Sequence, residues 1–324
     1  MILCITHSKD YYNIDLVMAY LQNKQIPALR LNTDLFPGEI KFRYSLSAQG
    51  SESLILDFPD FSLDVKTVRA SWLRKIWAPA IIDQVDETYQ KGVKAEANTA
   101  RQLLWDALEQ NPCIDALSKV KLAEHKFTQL RAAQKAGLTI PASIYTTSST
   151  MLHEFYHAQQ GNIIGKLHNA LSFSMEGTGQ ALYTTPIEEE MLDDLDMLEI
   201  SPMIFQPRIA KAYELRVAYV NGQCFAGKIP ETNSATGSDD WRNNQIQINW
   251  EAYELPTQVQ AQLHSMMQEL GLYFGAVDLI CDEAGNYIFL EVNPCGEWGM
   301  LQKEIGFPIA ETIAQNLINF AGYA

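Results

Sequence analysis

Asp278, Glu291 and Asn293 stand within two apolar runs in the segment GAVDLICDEAGNYIFLEVNPCGEW, residues 275–298. An unpartnered carboxylate inside an apolar strand is costly, so two of them there need a reason. The runs 276–281 and 287–292 read as a hairpin turned at residues 282–286. Side chains alternate along a strand, so Glu291 and Asn293, two apart, leave it on one face. Three hard oxygen donors converging across one hairpin suit Mg²⁺ held jointly with nucleotide phosphates.

The elements that must position these groups follow from hydrophobic period and turn residues. Residues 2–6, 15–24 and 28–32 read as strand, helix and strand, an α/β start with a parallel sheet. A strand-rich stretch at 40–80 includes SLILDF and SWLRKIW, and a helix at 85–108 is stopped by Asn111-Pro112. A helix is expected at 119–136 with Gly137 as its stop, and a strand at 143–146. A helix at 148–160 capped by Ser148, a strand at 162–167, a polar loop at 168–179 and an acidic helix at 188–199 come next. Strands at 203–209, 214–220 and 223–229 follow, the last two joined by Asn221-Gly222, a strong hairpin signal. Helices at 258–271 and 309–320 flank the metal hairpin.

Composition bounds the function. The chain has 324 residues, 47% hydrophobic and 19% charged, as in folded globular enzymes. Its formal net charge of −15 repels nucleic acid and favours a basic partner or a metal–nucleotide complex. The five cysteines, Cys4, Cys113, Cys224, Cys281 and Cys295, form no C-x-x-C pair, so zinc and redox motifs are absent and a reduced cytoplasmic setting fits. The opening MILCITHSKD has no signal-peptide pattern, and no run of about 18 apolar residues predicts a membrane span.

The D…E-x-N-P pattern closing a hairpin resembles the metal site of the ATP-grasp superfamily, whose members activate carboxylates with ATP. The resemblance implies an α/β (α+β) ATP-grasp fold with the nucleotide between its last two domains. The expected divisions are an N-terminal α/β domain at 1–118, a central subdomain at 119–202 and a C-terminal subdomain with the metal site at 203–324. It implies that Lys126 and Lys166 reach nucleotide phosphates, as mobile point charges suited to that task. The loop 168–179 resembles the family's phosphate-covering loop. Main-chain groups at Gln206, Pro207, Arg208 and Ile209 would read the adenine edge, and Glu214 would hold the ribose. Arg216, two residues on and so on the face of Glu214, would point to the transferred phosphoryl group. Lys228 and Arg242 are candidates to grip the γ-phosphate or the substrate carboxylate.

Three local features narrow the branch: LNTDLFP, the strand SWLRKIW, and the K-x-x-Q-L pattern of Lys126, Gln129 and Leu130. They look like the graspetide ligases that macrocyclise microviridin-type precursor peptides, over essentially the whole chain. That branch implies ATP and Mg²⁺ and a ribosomal precursor peptide carrying a leader. A Glu or Asp side chain would be joined either to a Lys amine or to a Ser/Thr hydroxyl. No single residue decides between lactam and lactone, and the lean to lactam rests on similarity in the N-terminal stretch. Graspetide leaders dock as a helix on the central domain, so Asp193, Asp194 and Asp196 are candidates to meet a leader arginine. Two alternatives use the same ATP residues: a ligase of the glutathione synthetase or ribosomal-protein glutamate ligase type, and a non-catalytic nucleotide-binding module. The oligomeric state stays open, with a homodimer as the candidate assembly.

Overall fold

The computed structural model describes residues 1–167, 184–193, 195–230 and 249–323. Its first part runs β1 (Ile2–Thr6), α1 (Asn13–Asn23), β2 (Ala28–Asn32), β3 (Lys41–Leu46), β4 (Glu52–Asp57), β5 (Ser62–Asp64), β6 (Ala70–Leu73), α2 (Glu87–Leu108) and β7 (Cys113–Ile114). The order β2-β1-β6-β7 makes a parallel sheet, and β3-β4-β5 an antiparallel one. β1 is buried at all five positions because both faces of a parallel sheet are covered. Ile14, Val17 and Leu21, at helical spacing, seat α1 on it.

The middle part runs α3 (Leu117–Ala123), α4 (Lys126–Lys135), β8 (Ile144–Thr146), α5 (Ser149–Ala158), β9 (Ile163–Lys166), β10 (Thr185–Pro186), α6 (Asp196–Ile200) and β11 (Met203–Pro207). The Ser148 side chain caps α5 by accepting from Met151 N at 3.2 Å. Two expectations are corrected here. The single helix at 119–136 is broken at Glu124–His125 into α3 and α4, which puts Lys126 at the first position of α4. The acidic helix at 188–199 is a 3₁₀ turn at Glu189–Asp193 and the short α6. The physical reason is like-charge crowding: acids three and four apart repel along a helix, and this run has no basic residue to relieve them. The central sheet, β10-β9-β11-β8, takes in Met203–Pro207, which the division at 202/203 assigns to the next subdomain.

The last part runs β12 (Lys211–Val220), β13 (Gln223–Pro230), β14 (Glu251–Tyr253), α7 (Thr257–Leu270), β15 (Phe274–Asp282), β16 (Tyr287–Asn293) and α8 (Ile309–Phe320). Its antiparallel sheet has the order β14-β13-β12-β15-β16. The β12–β13 turn is Asn221-Gly222, with φ of 43° and 94°, the paired positive values that make asparagine-glycine the favoured two-residue hairpin.

This sheet has two unlike faces. Leu215, Val217 and Tyr219 face α4 and α7, in one core with Leu130, Ala133, Leu263 and Met267. On the other face, Ala218, Val220 and Phe274 pack with α8, α1 and Trp72 of β6. The N-terminal and C-terminal sheets therefore share a core, each fully buried large apolar side chain contributing roughly 1.5–3 kcal/mol. The five cysteines are all free thiols. Among the described residues no helix is long and apolar enough to cross a membrane.

Asp115 ties the two sheets together, its carboxylate accepting from Tyr273 N at 2.6 Å and Phe274 N at 3.1 Å. Burial raises its pKa from 3.8 to about 7, against the pull of those two amides. Between these values the folded chain holds the extra proton, so this group's contribution falls as pH rises through about 7. Asp115→Asn removes that slope. In urea unfolding between about pH 5 and pH 8, the variant is expected to gain on the wild type steadily as pH rises; a pH-independent difference would contradict the assignment.

Candidate functional site

Register builds the site. Arg216 on β12 pairs directly with Asp278 on β15, and Asp278 with Glu291 on β16. Directly opposed residues share a face, so the three side chains form one row across three strands. Asn293 opposes Ala276, one pair further along the same face. This is the face that is apolar at Ala218 and Val220; it turns polar toward the start of β12, where the covering helices end.

Charge is balanced within the row. Arg216 Nη1 donates to Asp278 Oδ1 at 2.5 Å, and Lys126 is ion-paired with Glu291. Arg216 is only 7% exposed, and its Nε is buried with no hydrogen-bond partner among the described residues. A buried donor left unsatisfied is costly, so the Arg216 Nε calls for an acceptor. Glu214, two residues before Arg216 on the same face, pairs with Lys211. Among the described residues no three His, Cys, Asp or Glu converge; the donors here are two carboxylates and an amide.

Gln129 explains how Lys126 arrives. Its amide is buried, donating to Val292 O at 2.8 Å and accepting from Val292 N at 2.9 Å. β16 is an edge strand, so Gln129 acts as the missing neighbour and clips α4 to it. Lys126 lies one turn earlier on the same helix face and so falls beside Glu291. Gln129→Leu leaves the Val292 groups unsatisfied, an expected loss of about 2–4 kcal/mol in thermal or urea unfolding. ATP turnover measured on the folded fraction should fall as well; wild-type stability would remove the clip.

Lys166 and Gln206 share the face of the central sheet turned away from α5, since Lys166 opposes Ile204 and Gln206 opposes Ile164. The Gln206 side chain donates to Ser143 Oγ at 2.8 Å. Arg208 N donates to Asn162 O at 2.9 Å, and Asn162 Nδ2 to Arg208 O at 3.0 Å. The Arg208 amide is thus engaged and is not a free donor for an adenine edge.

Lys228 is not brought to the row. It opposes Leu215, on the other face of the sheet, and its Nζ lies 4.4 Å from the Tyr213 ring centroid. The two-residue turn at 221–222 dictates this register, so the sequence already contained the correction. Arg242, the loop 168–179 and Asp194 lie outside the described residues. Asp193 is exposed.

A second cluster adjoins the row. Arg74, 1% exposed, donates from Nη2 to Glu297 Oε2 at 2.6 Å and from Nη1 to Cys295 O at 2.7 Å. Lys75 pairs with Glu297 too, and Asn13 Nδ2 donates to Glu297 Oε2 at 2.7 Å. Burial opposes ionisation of Glu297, but Arg74 and Lys75 outweigh it and hold its pKa below the usual carboxylate value. Arg216 Nη2 donates to Glu297 O at 3.3 Å, so this loop also fixes the arginine of the row. Gly296 permits the approach: a Cβ there would lie 2.4 Å from Ala276 Cβ. Arg74, Lys75 and Glu297 were not singled out from sequence. The Arg-Lys pair ending the apolar strand SWL was the available signal, since charge at a buried strand end needs a partner.

The site therefore joins an N-terminal parallel α/β sheet to a C-terminal hairpin of acids with lysine and arginine counter-charges. A family model for the MvdD pre-ATP grasp domain matches residues 1–121. The whole chain is similar to the crystal structure of macrocyclase MdnB from Microcystis aeruginosa MRC, with 34% identity, 98% of each chain covered and a TM-score of 0.83. It is similar to macrocyclase MdnC, bound with precursor peptide MdnA, from the same organism: 30% identity, 98% of this chain and 99% of that one, TM-score 0.86. The chain belongs to the microviridin-type ATP-grasp macrocyclase family. A Chryseobacterium gregarium RiPP-associated ATP-grasp ligase, in complex with ADP and a leader and core peptide, matches at 25% identity over 98% of this chain and 96% of that one, TM-score 0.88. A search of curated proteins returned no match. The macrocyclase is thus an ATP-grasp carboxylate ligase with the mixed α/β architecture of the RiPP ligases.

Proposed function

We propose that this macrocyclase activates a Glu or Asp side chain of a ribosomal precursor peptide with ATP and joins it to a neighbouring side chain of the same peptide. The carboxylate attacks the γ-phosphorus of ATP, giving an acyl phosphate and ADP. A Lys amine or a Ser/Thr hydroxyl then attacks the acyl carbon, the phosphate leaves, and the attacking group loses its proton. Lactam formation is the favoured outcome, on the similarity of the N-terminal stretch.

The row Arg216–Asp278–Glu291 carries the reading. Its donor set fits a divalent cation shared with phosphates, since hard oxygen ligands few in number leave positions for phosphate oxygens. Asp278, Glu291 and Asn293 would hold Mg²⁺, whose charge would offset that of the phosphates. Arg216, with its unpaired Nε, is proposed to bind the transferred phosphoryl group, and Lys126 and Lys166 the nucleotide phosphates. Glu214 is proposed for the ribose. Holding both reacting side chains at one place supplies effective molarity. A cytoplasmic setting suits an ATP-dependent enzyme with five free thiols.

The direct test incubates the protein with ATP, Mg²⁺ and the precursor peptide encoded beside its gene. The expected result is ADP, phosphate and a peptide lighter by one water per ring. Fragmentation then reads lactam against lactone, and ester-cleaving base opens only the latter. No ADP and no mass change would overturn the reading.

The leader is proposed to dock on the central sheet beside the acidic run. MdnC is a relative bound with a precursor peptide, and here Met191 within the run and Ile200 just after it are exposed. One of Asp193, Asp194 and Asp196 would pair with a leader arginine. Changing each to Asn should weaken leader binding in titrations by about two- to fivefold for that one position, with ATP binding unchanged. Three wild-type curves would leave the run with solubility as its role.

A further inference from the structure

A groove of about 520 Å³ opens on the N-terminal domain between α2, α3 and the segment after β6. Trp77 and Trp105 make its apolar wall, and Lys75, Arg101 and Lys121 bring positive charge. Among the described residues Glu124 is the one acid in its lining, in a chain whose acids outnumber its bases 39 to 24. The local reversal of sign marks an anionic occupant. Arg101 is held by Nη1 donating to Trp77 O at 2.8 Å and by Nη2 donating to Asn98, while its Nε is buried with no hydrogen-bond partner among the described residues.

Three wall residues lead into the site already described. Cys295 is two residues past Asn293, and its amide donates to Asn293 Oδ1 at 2.9 Å. Glu124 is two residues before Lys126. Lys75 is paired with Glu297, whose carbonyl accepts from Arg216. The inner end of the groove is therefore the margin of the acidic row.

We propose that this groove binds an acidic stretch of the peptide substrate next to the reacting carboxylate, feeding one side chain to Arg216 while the cations hold its neighbours. The inference rests on the peptide-ligase reading above. A substrate whose reacting group is itself a carboxylate fits the charge, and the tryptophans supply stacking area for the intervening residues.

The test is Lys121→Glu, at an exposed position of α3 outside the acidic row. The KM for the precursor peptide is expected to rise about three- to tenfold, with kcat and the KM for ATP unchanged, and the effect should fade with added salt. Lys121→Gln, which removes the charge without adding one, should give a smaller rise in the same direction. A peptide whose non-reacting Asp and Glu residues are changed to Gln should lose a similar factor on the wild type and little more on Lys121→Glu, the signature of a shared contact. Peptide KM values within twofold of wild type for both variants overturn the proposal. A changed KM for ATP alone gives the groove to nucleotide and overturns it too. If the wild type forms neither ADP nor ligated peptide, the ligase reading itself has failed; if it ligates normally and the variants match it, only the groove has.

Discussion

Glu291→Gln is expected to abolish ligation while the protein stays folded. The substitution keeps the shape of the side chain and removes the charge that faces Lys126 and would bind the metal. Glu291 is 22% exposed and Lys126 20%, so the lost ion pair costs the fold only about 0–1 kcal/mol. The loss to catalysis is far larger, about 4 kcal/mol or three orders of magnitude in kcat, because metal clamping of the phosphates is a transition-state interaction. Asn293→Ala should follow the same pattern. Its side chain also accepts from Cys295 N, so a modest drop in melting temperature goes with it. The measurement is ADP release and peptide mass on one preparation, with unfolding followed in parallel. Ligation at wild-type rates by both variants would sink the metal assignment.

Arg216→Lys is expected to slow ligation by roughly 100-fold or more, even though the charge is kept. The guanidinium works at two places at once, with Nη1 on Asp278 and Nη2 on the Glu297 carbonyl, and its Nε still unused. An ammonium cannot hold both partners and keep a donor aimed at a phosphoryl group. Nucleotide binding should survive, since the proposed phosphate lysines and the ribose carboxylate are untouched. Single-turnover rates and nucleotide titrations separate the outcomes. Unchanged catalysis with collapsed ATP binding would move Arg216 to a purely binding role.

Both predictions depend on a row whose members differ in how visible they are from sequence. Glu291 and Asn293 are local: they lie two apart on one strand and share a face by alternation. An irregularity between Asp278 and Leu279 sets Asp278 opposite Glu291 while Leu279 opposes Phe289; without it the register from the turn would pair Asp278 with Leu290, on the other face. Such a bulge leaves no sequence signal here. Lys228 shows the opposite case. Counting outward from Asn221-Gly222 places it with Leu215, yet residue type alone suggested a phosphate grip. Chemistry read without register put it on the wrong face.

The broken helices teach a related lesson. Residues 119–136 carry helical periodicity on both sides of Glu124–His125, and nothing local demands a break. The break follows from two separate anchorages, α3 under the N-terminal core through Val120 and α4 on β16 through Gln129. The acidic run carries both signals in its sequence, the helical spacing of its leucines and the repulsion among acids three and four apart, and the repulsion limits it to a 3₁₀ turn and a short helix.

The sequence by itself determined the α/β start, the two hairpins, the terminal helix at Ile309–Phe320 and the shared face of Glu291 and Asn293. Each is set by interactions within about a dozen residues, where period and turn chemistry act directly. Only the tertiary structure decided the counter-charges. Lys126 meets Glu291 across 165 positions, and Arg74 meets Glu297 across 223. Those contacts arise because Gln129 completes an edge strand and because α8 and α1 bind the two sheets into one core. The energy that selects them is burial and hydrogen-bond satisfaction summed over distant segments, and no local pattern records which distant segments will meet.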